Sequence, residues 1–212
     1  LHRDEVLLGA LPPFHSFGFT VAGLFSILAG MKIAYYPDPT DSYALVKVVE
    51  KWKVTLLSLA PSFLRGILQA GSEEQLESVR LFVTGAEKTP EELYKKVEKM
   101  GKNLIEGYGI TECSPILTLN RPDKPRRGVG HPIEDVEFCT IDPETEELLK
   151  PNQEGELCVK GDNVFKGYLG DRPSPFIEIE GEKWYKTGDL GNQDKDGYII
   201  LSGRSKRITK IG

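Results

Sequence analysis

The chain has 212 residues, 39% hydrophobic and 28% charged, enough for one large domain or two small ones with real cores. A net charge of −5 argues against a nucleic-acid partner. Cys113, Cys139 and Cys158 are scattered and form no C-x-x-C pair, which points to reduced thiols and a cytoplasmic setting, and His2, His15 and His131 lack metal-ligand spacing.

The first half alternates strand and helix. "EVLLGAL" (5–11) reads as a buried strand and "FGFTVAGLFSILAG" (17–30) as a buried helix, too short and too interrupted by Thr, Ser and Gly to span a bilayer. "KIAYY" (32–36) is a strand, and "SYALVKVVEKW" (42–52) an amphipathic helix with Leu45, Val48, Val49 and Trp52 on one face. "VTLLSLA" (54–60) is a strand, and "PSFLRGILQA" (61–70) a helix with Pro61 at its start. "VRLFVTGA" (79–86) is a strand, Thr89-Pro90-Glu91-Glu92 opens a helix to about Met100, and "NLIEGYG" (103–109) is a further strand. Continuous apolar strands between helices predict a mostly parallel sheet flanked by helices, over residues 1–120. Then the texture changes. A Pro/Gly/Arg loop, "RPDKPRRGVGHP" (121–132), is followed by short strands at "VEFCTID", "GELCVKG", "KWYKTGDLG" and "DGYIILSG". This predicts a small β-barrel or sandwich over 121–203, beside the α/β part. A first residue other than Met and a basic final run read as a piece of a longer protein.

Several groups could carry chemistry. Ligands of open parallel sheets sit beyond the carboxyl ends of the strands. "EGYGITECSP" (106–115) lies at such an end. Gly107 and Gly109 allow close backbone approach, Tyr108 offers a flat face to a base, and Thr111 offers a hydroxyl to a phosphate oxygen. Glu112 offers a carboxylate to Mg²⁺, which commonly pairs one or two carboxylates with substrate phosphates. A strand-to-loop turn with a helix cap uses the same residue types. Gly85, Ala86 and Glu87, ending "VRLFVTGA", could frame a purine or simply feed the next helix. Asp189, in "WYKTGDLG", could accept both hydroxyls of a ribose or sit in an ordinary turn. Arg204 could reach a phosphate or ribose, or belong to a solvated basic strand. His15, between aromatics in "PPFHSFG", suits a satisfied structural role more than an acid–base one.

Together, in this order and spacing, these segments resemble the adenylate-forming superfamily of acyl-CoA synthetases, adenylation domains and luciferases. "YGITE" resembles its Y-G-x-T-E motif, "YKTGD" its [YW]-x-T-G-D motif and "GRSKRITKIG" its hinge motif, while "GEL" (155–157) and "GYL" (167–169) match signatures of its small barrel. Within the superfamily, "PPFHSFGFTVAGLFSIL", "TGAEK" and Lys206 at the hinge, where most members carry Asp, resemble the acyl-carrier-protein synthetase part of bifunctional acyltransferase/synthetases. The resemblance implies ATP and Mg²⁺ as cofactors and two steps: acyl-AMP formation, then transfer of the acyl group to a thiol. It implies Glu112 as metal ligand and Thr111 at the α-phosphate. Tyr108 and Gly109 would lie beside adenine with Gly85, Ala86 and Glu87 along its edge, Asp189 on the ribose, Arg204 on ribose or phosphate, and His15 near the carboxylate. Phe17, Phe19 and Val21 would wall an acyl tunnel or pack in the core. The partners implied are a long-chain fatty acid and an acyl-carrier-protein or CoA thiol. Any membrane contact, at the inner face, would come through parts of a longer protein outside this chain. The family's phosphate loop and catalytic lysine have no counterpart here, and 204–212 would begin the interdomain hinge.

Overall fold

The computed structural model describes residues 4–204, so the expected hinge lies outside the described residues apart from Arg204, and Lys206 with it. The chain divides into two compact units, one ending at Thr111 and the other beginning at Glu112.

The first unit is built on parallel strands β1 (Val6–Gly9), β2 (Lys32–Tyr35), β3 (Leu56–Leu59), β4 (Leu81–Thr84) and β5 (Asn103–Gly109), in the order β2-β1-β3-β4-β5. Successive side chains of a strand point to opposite faces. Leu8, Leu57, Leu59 and Phe82 therefore meet Leu45, Val49, Leu64, Ile67 and Val97 from helices α3 (Ser42–Trp52), α4 (Pro61–Ala70) and α5 (Glu91–Lys99). Leu7 and Leu56, with Leu81 and Val83 packed against them, face Val21 and Ala22 of a helical run over residues 16–29. Both faces of the sheet are thus covered, as continuous apolar strands require.

That run differs from the single α-helix expected. It is α1 (Ser16–Gly18), a π-helical stretch Phe19–Phe25, and α2 (Ser26–Ala29). Side chains satisfy carbonyls of the wider turn: Ser26 Oγ donates to Val21 O at 2.9 Å and Tyr35 OH to Ala22 O at 2.7 Å. Gly30, at φ +64°, ends the run in the left-handed conformation that glycine adopts without strain.

Two local expectations need correction. The buried stripe of α3 is Leu45, Val46 and Val49, whereas Trp52 is 57% exposed in the last turn, with the Lys51 ammonium over its ring. Thr89 does not cap α5 with its side chain. Its hydroxyl lies 2.7 Å from that of Thr84, while its N–H donates to Glu106 Oε1 at 2.7 Å.

The second unit is antiparallel. β6 (Ile116–Leu119) pairs with β7 (His131–Pro132). β8 (Val136–Ile141), β9 (Gly155–Gly161), β10 (Phe176–Ile179) and β11 (Glu182–Gln193) form a sheet in the order β10-β11-β9-β8, and β12 (Ile199–Arg204) adds to β11. The ladder of β11 is broken by register shifts between Lys186 and Leu190 against β9 and between Leu190 and Gly191 against β12. Bulges of this kind bend a strand and increase its twist. β10 was absent from the predicted strands. It is joined to β11 through Glu180 and Gly181, both at positive φ (53° and 81°), the backbone of a primed hairpin turn without the usual Asn-Gly or Asp-Gly signal.

A charged clamp fixes the Pro/Gly/Arg loop to the β11–β12 hairpin. Asp194 is buried; its Oδ1 accepts from the N–H groups of Asp196 and Tyr198, and its Oδ2 from Arg127 Nη1 at 2.7 Å. The Arg127 guanidinium lies over the Tyr198 ring, whose hydroxyl donates to Pro125 O at 2.8 Å.

Candidate functional site

In the first unit the predicted residues gather where β4 and β5 end. Glu106, the first acid of "EGYGITECSP", is buried and committed to structure, accepting from Thr89 N–H and, at 3.0 Å, from the Tyr94 hydroxyl. It therefore locks the middle of β5 to the start of α5. Tyr108 is 9% exposed. Gly85 follows β4 beside the carbonyl of Gly107 and the ring of Phe17; a Cβ there would stand 3.5 and 3.6 Å from them, ordinary contact. The protein's own packing thus leaves room that a side chain at 85 would fill. Ala86 has φ +69°, a conformation uncommon outside glycine and one that concentrates at functional sites. Glu87 is exposed and accepts from Ser62 Oγ at 3.2 Å.

His15 acts locally as a helix cap, its Nδ1 accepting the Phe17 N–H at 3.1 Å. The next residue, Ser16, places its hydroxyl 3.1 Å from that of Thr111. The sequence reading missed Ser16. Thr111 itself is exposed.

In the second unit Glu112 is half-buried, and its Oε1 accepts the Tyr168 hydroxyl at 2.6 Å. The Tyr185 hydroxyl neighbours that of Tyr168. Burial first, then Tyr168, pushes the Tyr185 hydroxyl above its ordinary range; the bond to Glu112 raises that of Tyr168. Both therefore stay protonated at neutral pH. Phe165 closes the group edge-on to Tyr168 and Tyr185 and donates its N–H to Glu112 O at 2.8 Å. Asn163 Nδ2 binds the carbonyls of Cys113 and Ile116 at 3.0 and 2.8 Å, stitching the loop after β9 to residues 112–116. Tyr168 lies in the "GYL" segment, so its presence was visible while its partner was not. Cys113 is buried and its thiol is pushed up to about 12 by desolvation, which makes it inert.

The "TGD" triplet sits in the β11 bulge. Thr187 Oγ1 donates to Leu157 O at 2.7 Å and accepts from Asp189 N–H at 3.1 Å, while Gly188 turns at φ +73°. This turns Asp189 inward, where it is 4% exposed and accepts from Arg204 Nε at 2.7 Å across the β11–β12 pair. Two residues predicted separately are thus one ion pair.

Among the described residues no group of three or more His, Cys, Asp or Glu could hold a metal ion by itself, and no helix is long and apolar enough to cross a membrane. A single accessible carboxylate such as Glu112 fits Mg²⁺ only in the manner of sites completed by substrate phosphates.

A family model described as AMP-binding enzyme matches residues 1–169. The chain belongs to the AMP-binding enzyme family. It is 31% identical over 220 residues to 4-coumarate–CoA ligase 1 of Petroselinum crispum, covering 99% of this chain and 40% of that protein. It is 33% identical over 216 residues to the long-chain-fatty-acid–CoA ligase of Bacillus subtilis strain 168, covering 98% of this chain and 38% of that protein. The crystal structure of ATP-bound MatB from Rhodopseudomonas palustris matches with a TM-score of 0.82 at 31% identity, over 96% of this chain and 41% of that one. The AMP-binding fold thus accounts for both the parallel unit and the antiparallel half-barrel. The chain spans about two fifths of the length of the relatives it matches. These relatives include aryl- and fatty-acid CoA ligases and do not single out the carrier-protein synthetase subgroup.

Proposed function

We propose that this chain is part of an ATP-dependent acid–thiol ligase that activates a long-chain fatty acid as acyl-AMP and passes the acyl group to a thiol. The observation that carries the reading is the state of "YGITE" and "YKTGD". Each keeps its acid on an ordered turn, with Glu112 held by Tyr168 and Asp189 by Arg204. Family membership and the 33% identity to a fatty-acid ligase support it. The domain reading proposed with it keeps 1–120 and 121–203 as the two parts of the AMP-binding domain and 204–212, including Lys206, as the start of the hinge.

Acyl-adenylate formation is mainly positioning and charge neutralisation. In the first unit, Gly85, Ala86 and Glu87 would run along the adenine edge beside Tyr108 and Gly109. The absence of a side chain at Gly85 and the positive φ of Ala86 suit such close approach. Thr111, oriented by Ser16, would donate to the α-phosphate, and His15 would stand near the carboxylate. In the second unit, Asp189 would accept the ribose hydroxyls, with Arg204 holding its charge in place. Glu112 would hold Mg²⁺, which when bound neutralises phosphate charge, and Tyr168 would hold the carboxylate in position.

The finer assignment, fatty acid to acyl-carrier protein, rests on the hinge lysine and the "PPFHSFG" segment. The identity to a 4-coumarate ligase supports a second reading, an aryl-acid CoA ligase. Both are tested on the full-length protein by acid-dependent ATP–pyrophosphate exchange, with fatty acids of several lengths and 4-coumarate compared. Acyl transfer is then measured with CoA and with holo-acyl-carrier protein. Exchange with fatty acids and transfer to the carrier protein is expected. Exchange with 4-coumarate alone would select the aryl reading, and transfer to CoA alone would remove the carrier-protein assignment.

A further inference from the structure

The second unit holds a dithiol that the adenylating chemistry does not use. Cys139 on β8 and Cys158 on β9 are directly opposite each other in the antiparallel ladder, between the pairs Phe138–Val159 and Thr140–Leu157. Opposite residues project to the same face of a sheet. Both cysteines indeed belong to one cluster with Ile141 and Trp184, in which Cys158 is fully buried and Cys139 only partly. Opposed residues of an antiparallel pair stand about 4.5–5.5 Å apart at Cα, within the roughly 4.4–6.8 Å that disulfides span. The ladder spacing therefore meets the Cα separation that a disulfide requires.

We propose that Cys139 and Cys158 form a reversible oxidation site, in which Cys139 reacts first with a small-molecule disulfide and Cys158 resolves the adduct into a cross-strand disulfide. The environment divides the roles. Cys139 is partly exposed; its partner thiol Cys158, with the nearby Lys160 ammonium, outweighs burial and holds Cys139 below the usual thiol range. Cys158 is shifted the other way, raised by the pairing with Cys139 and by burial, so it does not react directly with a reagent in solution. Glu180 opposes the shift at Cys139, and Glu156 reinforces the one at Cys158. Lys160 is itself tied to Glu137 and Glu182 and sits over the Trp184 ring, which keeps its charge on this face.

The steps balance. The Cys139 thiolate attacks one sulfur of a glutathione-type disulfide, forming a mixed disulfide and releasing one small thiolate. Cys158 then attacks the Cys139 sulfur, its proton passing to the departing thiolate, and releases the second small thiol. Two protein thiols are oxidised and one small disulfide is reduced to two thiols. The product ties β8 to β9, the strand whose other edge pairs with β11.

The test treats the reduced full-length protein with oxidised glutathione, quenches it by alkylation in denaturant, and maps the peptides carrying Cys113, Cys139 and Cys158. A Cys139–Cys158 linked peptide that dithiothreitol reverses, with Cys113 fully alkylated, is expected. Cys158→Ser should instead accumulate a glutathione adduct on Cys139. Cys139→Ser should yield neither adduct nor link. Cys158→Ala serves if the serine variant unfolds, judged by circular dichroism. Wild-type protein that keeps both thiols alkylatable while folded would overturn the proposal, as would adduct formation on Cys158 in the Cys139→Ser variant.

Discussion

Tyr168 binds Glu112 from 56 positions away, and Ser16 meets Thr111 from 95 away. Neither pairing is legible in a linear motif, because a motif shows which residues are present and not which side chains the fold brings together. Glu112 and Thr111 were visible as candidates; the groups that orient them became visible only with the chain folded. Glu106 is the converse case, an acid in a ligand-like segment that the fold spends on Thr89 and Tyr94. If Tyr168 positions Glu112, Tyr168→Phe in the full-length protein should raise the Mg²⁺ needed for ATP–pyrophosphate exchange by about tenfold, as losses of groups supporting a metal ligand do. Glu112→Gln should slow exchange by about 10²–10³. A magnesium titration of both variants checks this: a silent Tyr168→Phe beside a crippled Glu112→Gln would free Tyr168 of the role, and two silent variants would remove the metal from Glu112. The tyrosine shift supplies a second readout. The bond to Glu112 is the largest cause of the raised Tyr168 value, so in Glu112→Gln its ionisation, followed by tyrosinate absorbance, should move to lower pH.

Elements whose identity follows from local periodicity were read closely. The predicted bounds of α3, α4, β5 and β9 coincide with those observed, because apolar spacing, Pro61 and the flanking glycines act within a few residues. β10 and the π-helical stretch were missed: one depends on an unusual turn, the other on long-range bonds from Tyr35 and on Ser26 reaching back to Val21. The bulge of β11 shows how an element positions a side chain. Its Gly188 holds φ +73°, where an L-side chain costs about 1–2 kcal/mol. Gly188→Ala should lower the denaturant midpoint correspondingly, and should weaken nucleotide binding in the full-length protein more than that loss explains if the bulge aims Asp189. The Arg127–Asp194 clamp predicts a pH effect. Burial pushes Asp194 up, but the bonds from Arg127, Tyr198 N–H and Asp196 N–H outweigh it and leave the carboxyl below its ordinary range. A depressed folded value means the clamp's contribution is fully present above the unfolded value of about 3.9 and is lost as pH falls through the lower folded value. Asp194→Asn should flatten the stability–pH curve in that acid window and lower stability at neutral pH by about 1.5–3 kcal/mol, the range for hydrogen bonds to charged groups. Equilibrium unfolding of both proteins from about pH 3 to pH 7 measures it.

At the scale of the whole chain, the face of the parallel sheet covered by the 16–29 run has an outer surface of its own. Ile27 is 73% exposed, Leu28 84%, Phe19 54% and Leu24 47%, with Phe14 at 92% just before the run. Single exposed apolar residues are ordinary, but a contiguous set promotes association or aggregation. The burial pattern explains why sequence alone did not separate the two sides. The run is apolar on nearly every position, so its periodicity does not mark which side meets Leu7 and Leu56 and which does not. Val21 and Ala22 face the sheet, whereas Ile27 and Leu28 lie exposed in the last turn before Gly30. Replacing the latter should therefore change solubility without loosening the core. In the isolated 212-residue chain, Ile27→Lys combined with Leu28→Lys should raise the soluble concentration and lower the fluorescence of a bound apolar dye, with circular dichroism and the unfolding midpoint unchanged. Ala22→Lys, placed on the buried side, should instead lower the midpoint sharply, because an unpaired charge would enter the Leu7–Leu56 cluster. Equal loss of stability in both variants would show that the last turn of the run is packed and not solvent-facing, and unchanged dye binding in the double variant would locate the apolar surface of the chain elsewhere.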